Sequence, residues 1–358
     1  MSMQVRLPAC VLEPRSLLQS YGSALGRSDL FTSISEAGTP HQRFERVVAF
    51  YLSQLKCMRP TREALKPYNP TLGEIFVNEW PGADLKAQCP VYFLAEQVFE
   101  PSFLLLHQCI VWTILFDTTQ FSQVSHHPPV SAFYAESRPA GVFYVGSLAT
   151  VSGIKCKFHF WPDVLTVENR GEARLVLVRH DEHFKFTFPS AEACDILGSE
   201  PWLQLAGDTT LTASTGEKAT FAFSGKDCVE GEMMAGDGTI VAKLSGNWRN
   251  QVKIWEMENG KKRVLLDMTN WKGGEVGMKV APVALQEEKE SRRMWRKLTR
   301  ALMYQPGMAD EEKALVEDEI RLRDSGAEYS PRFFEVPCFC FSGLEQHSLY
   351  PCALGGIE

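Results

Sequence analysis

The period of the hydrophobic pattern changes twice along the chain. Between residues 40 and 58, Phe44, Val47, Val48, Tyr51, Leu52 and Leu55 recur at i, i+3, i+4 spacing, which predicts a helix with one buried stripe. Thr39 is placed as its N-cap and Pro40 as its first helical residue. From Phe133 to about Trp255 the period drops to two. Strands are expected over 143–150, 155–167, 174–188, 202–212, 218–224 and 239–244, punctuated by Gly, Asn and Asp. His183-Phe-Lys-Phe-Thr-Phe188 alternates cleanly, as strands with one wet and one apolar face do. Successive strands without crossover helices imply an antiparallel meander, and this many imply closure. The expected class is therefore mainly β (α+β), a large antiparallel β-barrel. Trp248 and Trp255 are read as packing residues within it. Past residue 280 the helical period returns: Leu285, Trp295, Leu298 and Leu302 share a face that docks on the barrel. A last helix carries Lys313, Glu317 and Arg321 at i, i+4, i+8, one stripe that suits either a solvated ion ladder or a binding surface. Residues 1–38 are apolar but broken by Pro8 and Pro14, and read as an N-terminal arm without regular period.

At 358 residues the chain has room for one large barrel. A net charge of −7 argues against a nucleic-acid partner bound through the overall field, so any phosphate must be held by a local basic cluster. Ten cysteines without a CxxC pair, and no cleavable signal, imply reduced thiols and a cytosolic protein. The longest apolar run, Phe103 to Phe116, is interrupted by His107 and Gln108 and is shorter than the ~18 residues of a membrane span. Two stretches carry the candidate chemistry. In Gln123-Val-Ser-His-His-Pro-Pro-Val-Ser131 the prolines exclude a helix or central strand, leaving His126 and His127 on a stiff, extended rim. Neighbours on an extended chain point to opposite faces, so metal binding fits them poorly, and no cofactor is expected. A hydrolase built from these histidines with Ser125 or Ser131 lacks a nucleophile-elbow context, and no enzymatic activity is expected. Lys66-Pro-Tyr-Asn-Pro-Thr-Leu-Gly-Glu74 reads as a structured turn rather than a helix or central strand.

Both stretches resemble signatures of the oxysterol-binding-protein-related family of lipid-transfer proteins. Val124-Ser-His-His-Pro-Pro129 matches the family's Glu-Gln-Val-Ser-His-His-Pro-Pro, except that Ser122 stands where Glu is usual. Lys66 to Glu74 resembles Lys-Pro-Phe-Asn-Pro-Leu-Leu-Gly-Glu, with Tyr68 and Thr71 as mild departures. Leu244 to Trp255 and Tyr329-Ser-Pro-Arg-Phe-Phe334 resemble later segments, so the likeness runs from about Leu7 to Phe334. It implies a single lipid-binding domain over 1–335, here without the additional modules of longer members, enclosing a lipid tunnel in its barrel. Residues 1–38 would form a lid with Leu7, Val11, Leu12, Leu17 and Leu18 facing the ligand, and 280–335 a C-terminal helical part. The resemblance also implies a phosphatidylinositol 4-phosphate headgroup site made by Lys66, Asn69, His126, His127, Lys313, Glu317 and Arg321. The second ligand would be a sterol or phosphatidylserine, exchanged between membranes by transient peripheral contact, at sites that include the endoplasmic reticulum.

The missing Glu-Gln stands upstream, as Glu96-Gln97. Deleting residues 98–123 rejoins Ala-Glu-Gln-Val-Ser-His-His-Pro-Pro without a scar. Every valine codon begins GT and one glutamine codon is CAG, so the stretch can begin and end as an intron does. It is read here as a translated intron, with a genuine surface insertion as the alternative. Residues 336–358 carry no family likeness and are left as a tail.

Overall fold

The computed structural model describes residues 9–81, 89–98, 130–158, 161–324 (except 197, 199, 272 and 274) and 331–334. Its centre is an antiparallel sheet of thirteen strands among these residues. From one edge it runs β3 (Ile75–Trp80), β4 (Val91–Val98), β5 (Val130–Ser137), β6 (Val142–Phe158), β7 (Trp161–Leu177) and β8 (Glu182–Phe186). It continues through β10 (Trp202–Ala213), β11 (Lys218–Ser224), β12 (Cys228–Met234), β13 (Ile240–Asn247), β14 (Gln251–Glu256) and β15 (Lys262–Asp267), while β9 (Ser190–Cys194) pairs with β7 and β10. The chain leaving β15 returns to the far edge, where Lys279 bridges Glu79 and Glu290 bridges Ile75 of β3. The β3 edge is thereby occupied at these two positions, which blunts an open ladder that would template aggregation. Gly146 lies opposite Phe133, whose ring fills the space a side chain would need.

The predicted antiparallel meander is present, with differences at its turns. The stretch expected as one strand over 155–167 is divided between β6 and β7. The stretch over 174–188 is broken at Asp181, which adopts a left-handed conformation (φ 53°) suited to a tight turn. Strands β12 and β15 were not anticipated; their Glu, Gly and Lys-rich sequences hide the alternation. Trp248 packs as expected and is buried, but Trp255 is 40% exposed on the outer face, where Lys262 Nζ lies 4.6 Å from its ring centre.

Inside the sheet sits α3 (Pro40–Met58). Thr39 caps it by accepting from the Gln42 N–H, with Pro40 in its first turn. The expected stripe of Phe44, Val47, Val48, Tyr51, Leu52 and Leu55 is buried, each large side chain contributing about 1.5–3 kcal/mol by transfer from water. The helix departs from a one-sided stripe, however: Phe50, Ser53, Gln54, Lys56 and Cys57 are buried too, because sheet and N-terminal segment enclose it on all sides. Arg43 is held by a buried ion pair with Glu182, and Lys56 Nζ donates to the Met268 carbonyl at 2.7 Å.

The N-terminal segment is more ordered than its sequence suggested. It contains β1 (Leu12–Ser16), α1 (Leu17–Ser23) and α2 (Ser28–Ser33). At the other end come the one-turn α4 (Ser291–Met294), α5 (Arg296–Tyr304) and α6 (Ala309–Asp324). Trp295, Leu298 and Leu302 pack with Tyr68 and Val316 as expected. Leu285 does not join them: it lies in a short 3-10 turn and is 77% exposed. No described helix is long and apolar enough to cross a membrane.

Candidate functional site

The Lys66–Glu74 stretch is a short strand followed by a turn. Residues Lys66–Tyr68 form β2, which pairs in parallel with β1 through Leu12–Lys66 and Ser16–Tyr68, so the turn expected there begins one strand later. Pro67 lies within this three-residue strand and Pro70 two residues past its end, and both limit its length. The chain then turns back through the Glu74 N–H bond to the Thr71 carbonyl, and Gly73 (φ 74°) supplies the positive φ.

Glu74 closes the turn and ties three parts of the chain together. Its fully buried carboxylate accepts from Ser16 Oγ, Ser291 Oγ (2.6 Å), Trp295 Nε1 (3.0 Å) and the Thr71 N–H (3.1 Å). Burial pushes its pKa up, and those four donors oppose the rise. Sequence reasoning passed over Glu74 as the end of a motif. Its isolation as the acid following a Pro-Asn-Pro turn was the available signal.

Beside this turn lies the open end of the β4–β5 hairpin. Gly73 N–H donates to the Gln97 carbonyl at 2.8 Å and Gln97 N–H to the Glu74 carbonyl at 2.9 Å. Ser131 Oγ donates to Gln97 Oε1 at 2.6 Å. Glu96 accepts from the Arg332 and Phe333 N–H groups at 2.9 Å each, bringing these two residues of the terminal segment to the same place. The candidate headgroup residues His126 and His127, and the insert at 98–123 apart from Val98, lie outside the described residues. Leu7 of the expected lid and the tail at 336–358 do as well.

Lys66 is half-buried, and α6 brings Lys313 and Glu317 to it, joined at 3.9 Å. Burial lowers the Lys66 pKa, the charge of Lys313 lowers it further, and Glu317 acts in the opposite sense. Lys66 and Lys313 are thus like charges that disfavour one another in a partly desolvated place, with Glu317 acting against that effect. Asn69, three residues along the chain from Lys66, is exposed. Arg321 lies two turns beyond Lys313 on α6, and only its backbone is described.

Of the remaining lid residues, Leu18 is fully buried in the main core and Leu17 packs against it. Leu12 packs instead with Tyr68, Trp295, Leu298, Ala301 and Ala309, and Val11 is half-buried in the 3-10 turn before β1. Ala9 N–H fastens this turn to Asp310 of α6 at 2.6 Å.

A polar cluster that the sequence did not single out lies deeper, between α1, α3 and the sheet. Tyr144 OH donates to Gln54 Oε1 at 2.9 Å, yet Gln54 Nε2, Tyr21 OH, Ser20 Oγ and both polar atoms of the Asn78 side chain are buried without a partner. Burial raises the pKa of Tyr21 and of Tyr144, so both phenols are neutral donors. Gln54 carried the signal: an amide in the middle of a helix buried all round.

Strands that wrap a central helix, with Lys66 brought close to Lys313 and Glu317 by the C-terminal helices, make up the fold and its candidate site. The family model for oxysterol-binding protein matches residues 2–323, and the chain belongs to that family. Oxysterol-binding protein-related protein 9 of Xenopus tropicalis is 34% identical over 308 residues, covering 83% of this chain and 39% of the relative. Oxysterol-binding protein-related protein 11 of Homo sapiens is 31% identical, covering 84% and 40%. The chain thus spans about two fifths of these relatives. Oxysterol-binding protein 4 of Dictyostelium discoideum is 27% identical, covering 97% of this chain and 71% of the relative. The Osh3 ORD from Saccharomyces cerevisiae, solved in complex with PI(4)P, superposes with a TM-score of 0.66 at 19% identity, covering 94% of this chain and 84% of that one. The Osh1 ORD domain, in complex with cholesterol, gives 0.69 at 20% identity, covering 93% and 79%. These likenesses establish the fold.

Proposed function

We propose that this chain carries lipids between membranes, binding phosphatidylinositol 4-phosphate and a sterol in turn. The observation that carries the reading is that α6 brings Lys313 and Glu317 to Lys66, at the start of the stretch whose far end, Gly73 and Glu74, is bonded to Gln97 of β4. A phosphomonoester placed there meets two lysines whose mutual repulsion it relieves, with Asn69 as an amide donor. His126 and His127, which follow from the family signature, and Arg321, two turns along α6 from Lys313, complete the proposed set. Moving an acyl chain into water costs about 0.8 kcal/mol per CH₂, so a protein interior that replaces bilayer removes a large barrier to transfer. The N-terminal segment, packed over α3 and against the C-terminal helices, is the cover in this reading.

The choice of a sterol over phosphatidylserine rests on the orphaned groups of Tyr21, Gln54, Ser20 and Asn78. Buried polar atoms are rarely left unpaired, and a hydroxyl with accompanying water satisfies them at low desolvation cost. A phosphoserine headgroup carries three charges that this neutral cluster does not compensate.

The insert at 98–123 is proposed to be absent from the working protein. The described β4–β5 ladder pairs Gln97 with Ser131 and Val98 with Val130. Removing 98–123 puts Val124 in the place of Val98, preserving the register and leaving Ser125–Pro129 as a five-residue loop, an ordinary hairpin length.

The test is lipid extraction and donor-to-acceptor transfer between liposomes by the chain lacking 98–123. The expected result is transfer of both lipids by the parent. His126→Ala with His127→Ala, and separately Lys66→Ala, should abolish phosphoinositide extraction while leaving the circular dichroism unchanged. Binding without transfer would reduce the function to sensing, and normal extraction by these variants would remove the site.

A further inference from the structure

The C-terminal helices carry an exposed face whose charge is opposite to that of the whole molecule. Residues 291–304 contain Arg292, Arg293, Arg296, Lys297 and Arg300 and no acid, in a chain of net charge −7. Arg292 is engaged by Glu275 and Arg293 by the Gln286 carbonyl. Arg296, Lys297 and Arg300 are exposed and have no ion pair or hydrogen-bond partner among the described residues. On α5 they stand at i, i+1 and i+4, opposite the buried Leu298 and Ala301. The same face continues into apolar side chains that nothing described covers: Met303 is 57% exposed, Tyr304 73%, and Met308 46%.

We propose that this face docks the protein on an anionic bilayer, a role that rests on the lipid-carrier reading and adds to it the surface of contact. Unpaired cations beside exposed Met and Tyr make the combination that binds headgroups electrostatically and seats apolar side chains at the acyl boundary. Tyr is suited to that boundary, with an apolar ring and a wet hydroxyl. The net negative charge elsewhere repels the same membrane, so the local patch selects the orientation. Asp310, Glu311 and Glu312, the acids that follow in the chain, open α6, where they complement its dipole, and Asp310 is occupied by the Ala9 N–H. Position agrees with the role. α5 packs on α6, which carries Lys313, and Thr299 Oγ1 lies 3.0 Å from Tyr68 OH, two residues from Lys66. A membrane held by this face therefore lies against the elements that build the headgroup cleft.

The experiment is flotation of the chain with phosphatidylcholine vesicles, with and without phosphatidylserine and free of phosphoinositide. Binding of a soluble short-chain phosphatidylinositol 4-phosphate is measured in parallel by calorimetry. The parent should float with the phosphatidylserine vesicles and be released by salt. Arg296→Glu with Lys297→Glu and Arg300→Glu should weaken flotation at least about a hundredfold, given roughly fivefold per basic residue at an anionic surface. Arg296→Lys with Arg300→Lys should retain flotation. Met303→Ser with Tyr304→Ser and Met308→Ser should weaken it, and all variants should bind the soluble lipid as the parent does. Failure of the parent to float, or undiminished flotation after charge reversal, overturns the proposal. A parent that floats but ignores the soluble lipid instead defeats the headgroup site and leaves the docking face standing.

Discussion

Replacing Glu74 separates two energies that its surroundings set against each other. The carboxylate is fully buried, which disfavours its charge, yet it accepts four hydrogen bonds. In Glu74→Ala the Ser291 hydroxyl retains the Ile75 carbonyl at 3.2 Å, and the Ser16 hydroxyl is free to rotate. The Trp295 indole N–H and the Thr71 N–H cannot reorient. Each becomes a buried unpaired donor costing about 1–3 kcal/mol, so with partial relief from removing the charge the loss is about 2–5 kcal/mol. Glu74→Gln keeps volume and one acceptor oxygen, which serves the two fixed N–H donors while the amide N–H₂ donates to the rotatable hydroxyls. Its cost is at most about 1.5 kcal/mol. Urea unfolding followed by circular dichroism, with equal m-values, reads the difference. The pH dependence has a definite sign. The folded pKa of Glu74 is raised, so ionisation costs stability above that value, and the cost disappears as the pH falls through it towards 4.5. The parent should therefore gain on Glu74→Gln with acidification over that window. An alanine variant within about 1 kcal/mol of the parent, or a glutamine variant as damaged as the alanine one, would refute the assignment of Glu74 as the acceptor that joins β1, β3 and the C-terminal helices.

Three further outcomes are expected. Because burial and Lys313 lower the Lys66 pKa, a bound phosphate should return it towards its ordinary value; binding then takes up protons on the alkaline side, and affinity falls as pH rises. Calorimetry in two buffers of different ionisation enthalpy measures this uptake, which should vanish in Lys66→Met. Tyr21→Phe deletes an unpaired buried hydroxyl, so thermal stability should hold or rise while sterol affinity falls about five- to tenfold in a fluorescent-sterol assay; unchanged sterol affinity would place the hydroxyl of the ligand elsewhere. Deletion of 98–123 should leave the thermal transition at least as high and increase phosphoinositide extraction, and sequencing of the spliced transcript should show the stretch absent.

The sequence by itself determined the class of fold, because period-two alternation under aromatic and β-branched side chains admits little besides an antiparallel sheet. It also determined α3, whose cap, proline and apolar stripe agree, and the family, which two short motifs carry. It did not determine strand ends. The divisions between Phe158 and Trp161 and at Asp181 separate antiparallel partners inside otherwise continuous strand-forming runs, and local propensity does not distinguish a reversal from an extension. The exposure of Trp255 and Leu285 likewise depends on what lies opposite them, which no window of sequence contains. Tertiary structure alone decided the meeting of Lys66 with Lys313 and Glu317, some 250 residues apart, and the four-donor environment of Glu74. It alone left the Tyr21 hydroxyl and the Gln54 Nε2 group unpaired in the core. Each of these is a sum of burial and charge over groups remote in the chain, so the residue types were legible beforehand and their energies were not.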